Sequence, residues 1–134
     1  PPADANDSEL VITTAAGVSH TFTVELAVDD KQRETGLMFR HSLAPNTGML
    51  FYFGTVMPVS MWMKNTFIPL DMLFIAPSGR IVGIAERTIP HSLDVVSVPE
   101  PVISVLEVNG GTTARLGVKP GDRVRHRFFP QDAP

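Results

Sequence analysis

The residues best suited to chemistry lie in one apolar stretch, residues 60–75, which carries only two charges. These charges are Lys64 and Asp71. A buried charge without a partner is very costly, so each of the two needs a counter-ion or a place at the edge of a cleft. Because their signs are opposite, the segment predicts either a structural Lys64–Asp71 ion pair or a pocket in which Lys64 binds an anion or transfers protons.

Neighbouring residues extend this candidate site. Asn65 and Thr66 add an amide and a hydroxyl, and Trp62, the only tryptophan, is either a packing residue or a platform for a ligand. Arg40 can direct its fork-shaped guanidinium at a carboxylate of the domain or of a ligand. The predicted ligand-binding set is therefore Lys64, Asn65, Trp62, Arg40, Asp71 and Thr66.

Glu107 is the only charge within residues 102–108, a run with the pattern of a strand. Its isolation makes it the natural internal partner of Arg40, and we expect a structural contact between the two. A different use is that Glu107 or Asp71 acts as the general base of a hydrolase. That chemistry requires a carboxylate with a raised pKa in an open cleft.

The chain offers little to hold a metal or a cofactor. It has no cysteine, and its four histidines are far apart in the sequence, so it has neither a thiolate site nor a histidine zinc motif. All six methionines lie between residues 38 and 72, where they suit an apolar core better than a copper(I) site. Glycine-rich nucleotide-binding loops are absent as well. We therefore expect no metal and no cofactor.

The hydrophobic pattern that must position these residues predicts a mainly β (α+β) domain. Apolar and polar side chains alternate over residues 18–28, as on a half-buried strand. Asp29 can cap one short helix near residues 30–39, although Gly36 lies inside it. Short turns link most neighbouring strands, and the spacing of β–α–β units is absent. We expect an antiparallel sheet or small barrel of about seven or eight strands, formed by residues 9–14, 18–28, 48–53, 59–63, 69–76, 80–86, 102–108 and 123–129.

The length of 134 residues fits one globular domain, which we place at residues 9–130. Residues 1–8 are small, polar and acidic and lack an initiator methionine, which predicts a flexible leader left by a removed signal segment and a periplasmic or extracellular protein. Residues 131–134 form a tail. No run of about 20 apolar residues is present, so we expect no transmembrane segment. We also expect the domain to be soluble and monomeric.

The basic residues near the end of the chain form a separate pattern. Arg123, Arg125 and Arg127 alternate with other residues, so on a strand they would share one face. The net charge is -3, and no stacking aromatic pattern accompanies the arginines. The pattern therefore favours a solvated strand face, and we expect no nucleic-acid partner.

Several motifs occur in an order that resembles a known family. They are ETGLMFR at residues 34–40, GMLF at 48–51, WMKNT at 62–66 with PLD at 69–71, GRIV at 79–82, LEV at 106–108 with Gly110, and GD at 121–122. Over residues 25–124 the chain resembles the bacterial and archaeal family called domain of unknown function 192. Glu34 and Thr35 depart from its pattern, in which an arginine often precedes Gly-Leu-Met.

The resemblance implies a compact domain that often follows a signal or lipoprotein segment, and it supplies no activity, substrate or cofactor. Our leading functional hypothesis is a non-enzymatic exported domain that binds a small anionic ligand or a partner protein near WMKNT. The alternatives are the hydrolase described above and a structural envelope protein in which the motif only stabilises the fold.

Overall fold

Within residues 5–130, which a computed structural model of the chain describes, seven strands form one sheet. The elements are β1 Glu9–Thr13, β2 Ser19–Ala27, α1 Asp30–Thr35, β3 Thr47–Met57, β4 Leu70–Ile75, β5 Ile81–Ala85, β6 Val102–Asn109, α2 Thr112–Leu116 and β7 Arg123–Arg125, with a turn of 3-10 helix at Ala5–Ser8. The order across the sheet is β5-β4-β6-β3-β2-β1-β7. The mainly β fold expected from the sequence is confirmed. The start of the expected leader, residues 1–4, and the tail, residues 131–134, lie outside the described residues.

One pair of neighbouring strands is parallel. Residues 23–27 of β2 pair in parallel with residues 47–51 of β3, whereas every other neighbouring pair in the sheet of residues 5–130 is antiparallel. Since α1 lies on the connection between them, β2, α1 and β3 form a β–α–β unit. The expectation that such units are absent was wrong here, because the irregular loop after α1 supplies the remaining length of the crossover.

The sheet curls until its two edges approach each other. Arg80, just before β5, forms an isolated antiparallel bridge with Arg123 of β7. The Val124 N–H also donates to the Gly79 carbonyl at 2.7 Å. The result is a half-barrel whose concave side is closed by the sheet itself.

The strands β4 and β6 and residues 48–51 of β3 are buried on both faces, so their successive side chains enter two different cores. The first core also receives side chains from β1, β2, β5 and β7; its central members are Leu50, Leu73 and Leu106. The second core lies on the other face and includes Phe51 and Phe74. It is covered by chain segments outside the sheet, at residues 37, 59–63 and 96–98.

One row of side chains across the second face has a carboxyl group at its centre. Glu25 of β2 lies beside Met49 of β3, Met49 beside Glu107 of β6, and Glu107 beside Met72 of β4. Met49 and Met72 are buried, whereas Glu25 at the outer end of the row is exposed. Glu107 therefore enters an apolar core between two thioether side chains.

The helix α1 begins where the sequence predicts and ends four residues earlier. The Asp29 carboxylate accepts a hydrogen bond from the Gln32 N–H at 2.7 Å, and the Gln32 side chain accepts one from the Asp29 N–H at 3.3 Å, which makes a capping box. The helix ends at Thr35 because Gly36 adopts a φ of +49°, after which Leu37 enters the second core. No helix within residues 5–130 has both the length and the apolarity needed to cross a bilayer.

Residues 59–63 do not form the expected strand. Met61 exchanges two backbone hydrogen bonds with Val96, at 2.9 and 2.8 Å, in an isolated bridge outside the sheet. Val59 and Met63 bury their side chains in the second core. The apolar pattern of this segment is thus that of a loop that covers a core, which short runs cannot distinguish from a strand.

The strand β7 ends at Arg125, so the expected strand at residues 123–129 is only partly formed. Arg127 lies beyond it and donates from Nε and Nη2 to the buried Asp7 carboxylate, at 2.6 and 2.7 Å. The three arginines therefore do not share one strand face, and Arg127 instead joins the two ends of the described chain.

Gly48 lets β3 approach β6 closely beside Glu107, and Gly48→Ala should destabilise the protein. A Cβ at this position would overlap the backbone carbonyl oxygen of Glu107. We expect the free energy of unfolding, measured by urea denaturation, to fall by about 2–3 kcal/mol. Gly54→Ala on the same strand is the matched control: its Cβ meets nothing within 4 Å, and its positive φ alone costs about 1 kcal/mol. Equal losses would contradict the close approach.

Candidate functional site

A cleft of about 260 Å³ opens on the second face of the sheet, between α1 with the turn that follows it and the loop of residues 60–66. We call it the Glu107 cleft. Its apolar lining comes from Leu37, Met38, Phe51, Phe53 and Met61. Its polar lining comes from Arg33, Glu34, Thr35, Ser60, Lys64, Thr66 and Glu107, with Trp62 and Gly36 completing the set. Apolar walls with a few polar groups are typical of small-molecule sites.

Glu107 is the most buried charged residue of this lining, at 4% exposure. Within residues 5–130 no hydrogen-bond donor or cation reaches its carboxyl group. Burial raises the pKa of Glu107 to about 8, because water no longer stabilises the carboxylate. At neutral pH the group is therefore mainly the uncharged acid, which can both donate and accept a hydrogen bond.

Arg40 binds Glu25 instead of Glu107. Its guanidinium is bidentate: Nη2 donates to Oε1 of Glu25 at 2.8 Å, and Nη1 donates to Oε2. This shared hydrogen bond lowers the pKa of Glu25 and raises that of Arg40. The expected Arg40–Glu107 contact was wrong, because Met49 separates the two glutamates in their row and Arg40 meets the exposed one. Arg40 does not line the Glu107 cleft.

Three of the six predicted ligand-binding residues line the cleft, namely Trp62, Lys64 and Thr66. The Lys64 ammonium lies 5.2 Å from the centroid of the Trp62 ring, within cation–π range, and has no ion pair within residues 5–130. Trp62 is 47% exposed, so part of its ring is free to contact a ligand. The buried Thr66 donates its hydroxyl to the Lys64 carbonyl at 3.1 Å and holds the loop in place.

Asn65 shapes this loop without lining the cleft. Its φ of +54° lies in the left-handed region, which asparagine tolerates better than most residues. Its carbonyl accepts a hydrogen bond from the Phe39 N–H at 2.8 Å. Asn65 thus ties the loop of residues 60–66 to the chain that follows α1.

Asp71 lies on the opposite face of the sheet from Lys64. Its neighbour Met72 points into the second core, so Asp71 points the other way along β4. Its fully buried carboxylate accepts hydrogen bonds of 2.8 to 3.0 Å from the backbone N–H groups of Arg87, Gly111 and Thr113 and from the Thr113 hydroxyl. The expected Lys64–Asp71 ion pair was wrong, and Asp71 has no open cleft in which to act as a general base.

Three residues of α1, Arg33, Glu34 and Thr35, line the cleft and were missed in the sequence. Arg33 is engaged elsewhere as well: it donates to two backbone carbonyls and pairs with the Asp30 carboxylate at 2.8 Å. Helix α1 has no buried residue, so no apolar stripe indicated which of its sides faces the core. The only available signal was the position of Glu34 at the start of the ETGLMFR motif.

The potential metal ligands in the described part of the chain are not gathered into one site. Within residues 5–130 no three His, Asp or Glu side chains lie close enough to hold a metal ion together. Met49, Met63 and Met72 are buried in the second core, and the Met63 sulfur accepts a hydrogen bond from the Thr88 hydroxyl at 3.1 Å. These methionines pack the core beneath the cleft.

Comparison with known families confirms the family resemblance that the sequence motifs suggested. Residues 11–126 match the family described as Uncharacterized ACR, the domain of unknown function 192. The chain belongs to this family. Every residue that lines the Glu107 cleft falls within the matched range, so the cleft is part of the family domain. No curated protein matches the chain.

Two solved structures are similar to this member of the domain of unknown function 192 family. A protein from Sinorhizobium meliloti 1021, provisionally described as a transcription regulator, is 52% identical with a TM-score of 0.88, over 94% of this chain and 99% of its own. A protein of unknown function from Novosphingobium aromaticivorans DSM 12444 is 38% identical with a TM-score of 0.84, over 87% of this chain and 83% of its own. Both share the fold of this family member.

Glu107→Gln should stabilise this family member by an amount that grows with pH. Folded Glu107 keeps its proton up to about pH 8, whereas the unfolded chain releases it near pH 4.3, so raising the pH favours unfolding. In urea denaturation, the stability of the natural protein relative to Glu107→Gln should fall on the order of 3 kcal/mol between about pH 5 and about pH 8.

Glu25→Gln is the control for this measurement. Because the pKa of Glu25 is lowered, its carboxyl is ionised in both the folded and the unfolded chain over the same interval. The difference between Glu25→Gln and the natural protein should therefore stay constant. A constant difference for Glu107→Gln as well would contradict the unpartnered burial of Glu107.

Asp71→Ala should lower the free energy of unfolding by about 3–5 kcal/mol, because three backbone donors and one hydroxyl lose a buried charged acceptor. Lys64→Met, at an exposed position, should change it by no more than about 0.5 kcal/mol. Urea denaturation of both variants measures this contrast. Comparable losses would mean that Lys64 and Asp71 stabilise the fold together after all.

Proposed function

We propose that this family member is a non-enzymatic binding domain whose small-molecule ligand occupies the Glu107 cleft. The observation that carries the proposal is the Glu107 carboxyl group, which is 4% exposed, lines the cleft and has no partner within residues 5–130. Its oxygens open onto the cleft and meet no donor of the described chain there, and removing an acid from bulk water in this way lowers stability. An apolar residue would serve the core better, so the carboxyl group is best explained by a ligand that bonds to it.

The rim of the cleft supports the same proposal. Lys64 has no counter-ion within the described part of the chain and stands at the opening, where it can hold an anionic group of the ligand. The exposed part of the Trp62 ring offers an apolar contact beside it. The proposal keeps the periplasmic or extracellular location expected from residues 1–8.

Glu107 also supports a second function, general-base catalysis in a hydrolase, because a carboxyl group with a pKa near 8 is suited to accept a proton. Such an enzyme needs an activated nucleophile or a positioned water molecule. No serine, threonine or lysine side chain bonds to Glu107 within residues 5–130. Binding without turnover is therefore the better-supported function.

Transcription regulation, the role given for the Sinorhizobium meliloti relative, has less support from the charges of this chain. The net charge is -3, and Arg127 is paired with Asp7. DNA-binding proteins depend on a basic surface that neutralises phosphates. We therefore place the functional surface at the cleft and not at β7.

Trp62 allows the proposal to be tested directly, because it is the only tryptophan and lines the cleft. A panel of small amines, carboxylic acids, alcohols and amides is titrated while Trp62 fluorescence and thermal unfolding are recorded. We expect at least one compound to shift the fluorescence and, at ten times its Kd, to stabilise the protein by about 1.4 kcal/mol.

Ser60→Phe locates the binding, since Ser60 is exposed and lines the cleft, and a phenyl ring there fills the opening. Thr21→Phe, at an exposed position on β2 away from the cleft, is the matched control. Binding should disappear in the first variant and persist in the second. Compounds that still bind Ser60→Phe, or a panel without any binder, would contradict the proposed function.

A further inference from the structure

We propose that the ligand of the Glu107 cleft carries a primary ammonium group, which binds the carboxylate of Glu107. This inference rests on the proposed binding function and names the chemistry of its ligand. It starts from geometry: a nine-tenths buried acid lines the cleft with no donor of the described chain bonded to it. The ionised form of such an acid needs a donor, and a cationic donor forms the stronger hydrogen bond.

The aromatic lining of the cleft favours a cation as well. The ring faces of Phe53 and Trp62 already attract cations of the protein: the Arg33 guanidinium lies 5.7 Å from the Phe53 centroid, and the Lys64 ammonium lies 5.2 Å from that of Trp62. Ring faces carry negative potential, which stabilises ammonium groups most where water is excluded. Phe51 and Glu107 both line the same cleft.

The other charges at the cleft do not oppose a cation bound at Glu107. Across the sheet, Glu107 is flanked by the uncharged Met49 and Met72. From α1, the charge of Arg33 is balanced by Asp30 at 2.8 Å, and the exposed Glu34 adds a negative charge. From the loop, Lys64 is exposed at the rim.

An anionic group can be held by Lys64 only at that rim, whereas the ionised carboxylate of Glu107 would repel it. The two ends of the cleft therefore accept opposite charges. A ligand with an ammonium group at Glu107 can also place an anionic group near Lys64.

Binding of the ammonium group moves one proton. Below about pH 8 free Glu107 holds its proton, so formation of the ammonium–carboxylate pair releases that proton to solvent. Affinity must then rise with pH until Glu107 is ionised in the free protein. A ligand that bonds to the protonated acid, such as a carboxylate, has the opposite dependence.

The test uses the 134-residue chain and three probes with the same four-carbon tail: n-butylamine, n-butanol and n-butyrate. Each is titrated against Trp62 fluorescence at about pH 6.5 and about pH 8.5. We expect n-butylamine to bind most tightly, and on the order of tenfold more tightly at the higher pH. We expect n-butyrate to bind more weakly there.

Variants locate the ammonium group. Glu107→Gln, which keeps the size of the side chain, should weaken n-butylamine at least about tenfold at the higher pH, and should weaken the uncharged n-butanol much less. Glu25→Gln, outside the cleft, should change neither. Amine binding that persists in Glu107→Gln, or that does not vary with pH, overturns the inference.

The outcomes separate this inference from the proposed function. If n-butanol or n-butyrate binds and Ser60→Phe abolishes that binding, while n-butylamine does not bind, the cleft is a ligand site and the ammonium assignment is wrong. If none of the three binds, the ammonium assignment is again wrong, and the wider compound panel decides the proposed function.

Discussion

The strand β4, most of β6 and residues 48–51 of β3 are buried on both faces, and the rest of the domain is arranged to cover them. The curl of the sheet closes one face, where its edges approach at Arg80 and Arg123. Within residues 5–130 no second sheet covers the other face, which is covered by the turn after α1 and by loops that meet at points such as the Met61–Val96 bridge. The Glu107 cleft lies in this discontinuous cover. The cleft is present because several short segments, and not one continuous layer, cover this face of the sheet.

Local patterns allowed much of the fold to be predicted. The alternation over residues 18–28 indicated β2, and Asp29 indicated the start of α1, because both depend on neighbours in the sequence. The failures depend on tertiary contacts. The apolar segment at residues 59–63 fits a strand, but it covers the second core as a loop. The parallel pairing of β2 with β3 also had no local signal, since an irregular loop forms most of the crossover.

Part of the candidate site could also be predicted from local sequence patterns. Glu107 drew attention as the only charge of its strand, and Lys64 and Trp62 as unusual residues in an apolar stretch, and all three line the cleft. The wrongly predicted ion pairs are those in which the geometry of the sheet determines which charged side chains meet. The alternation of β4 sends Asp71 to the face opposite Lys64, and the row across the sheet puts Glu25 within reach of Arg40. Opposite charges in a sequence indicate that partners are needed, and strand register decides which partners meet.

The parallel pairing of β2 with β3 also bears on how the cleft forms. Its lining comes from α1 and the following turn, β3, the loop of residues 60–66 and β6, which are brought together only when the crossover closes and β6 lies between β3 and β4. Such distant pairings are slow, because chain entropy is lost before the contacts form. A partly folded chain therefore has no cleft. A ligand held at Glu107 stabilises only the complete fold, so its kinetic effect is to slow unfolding and not to speed folding.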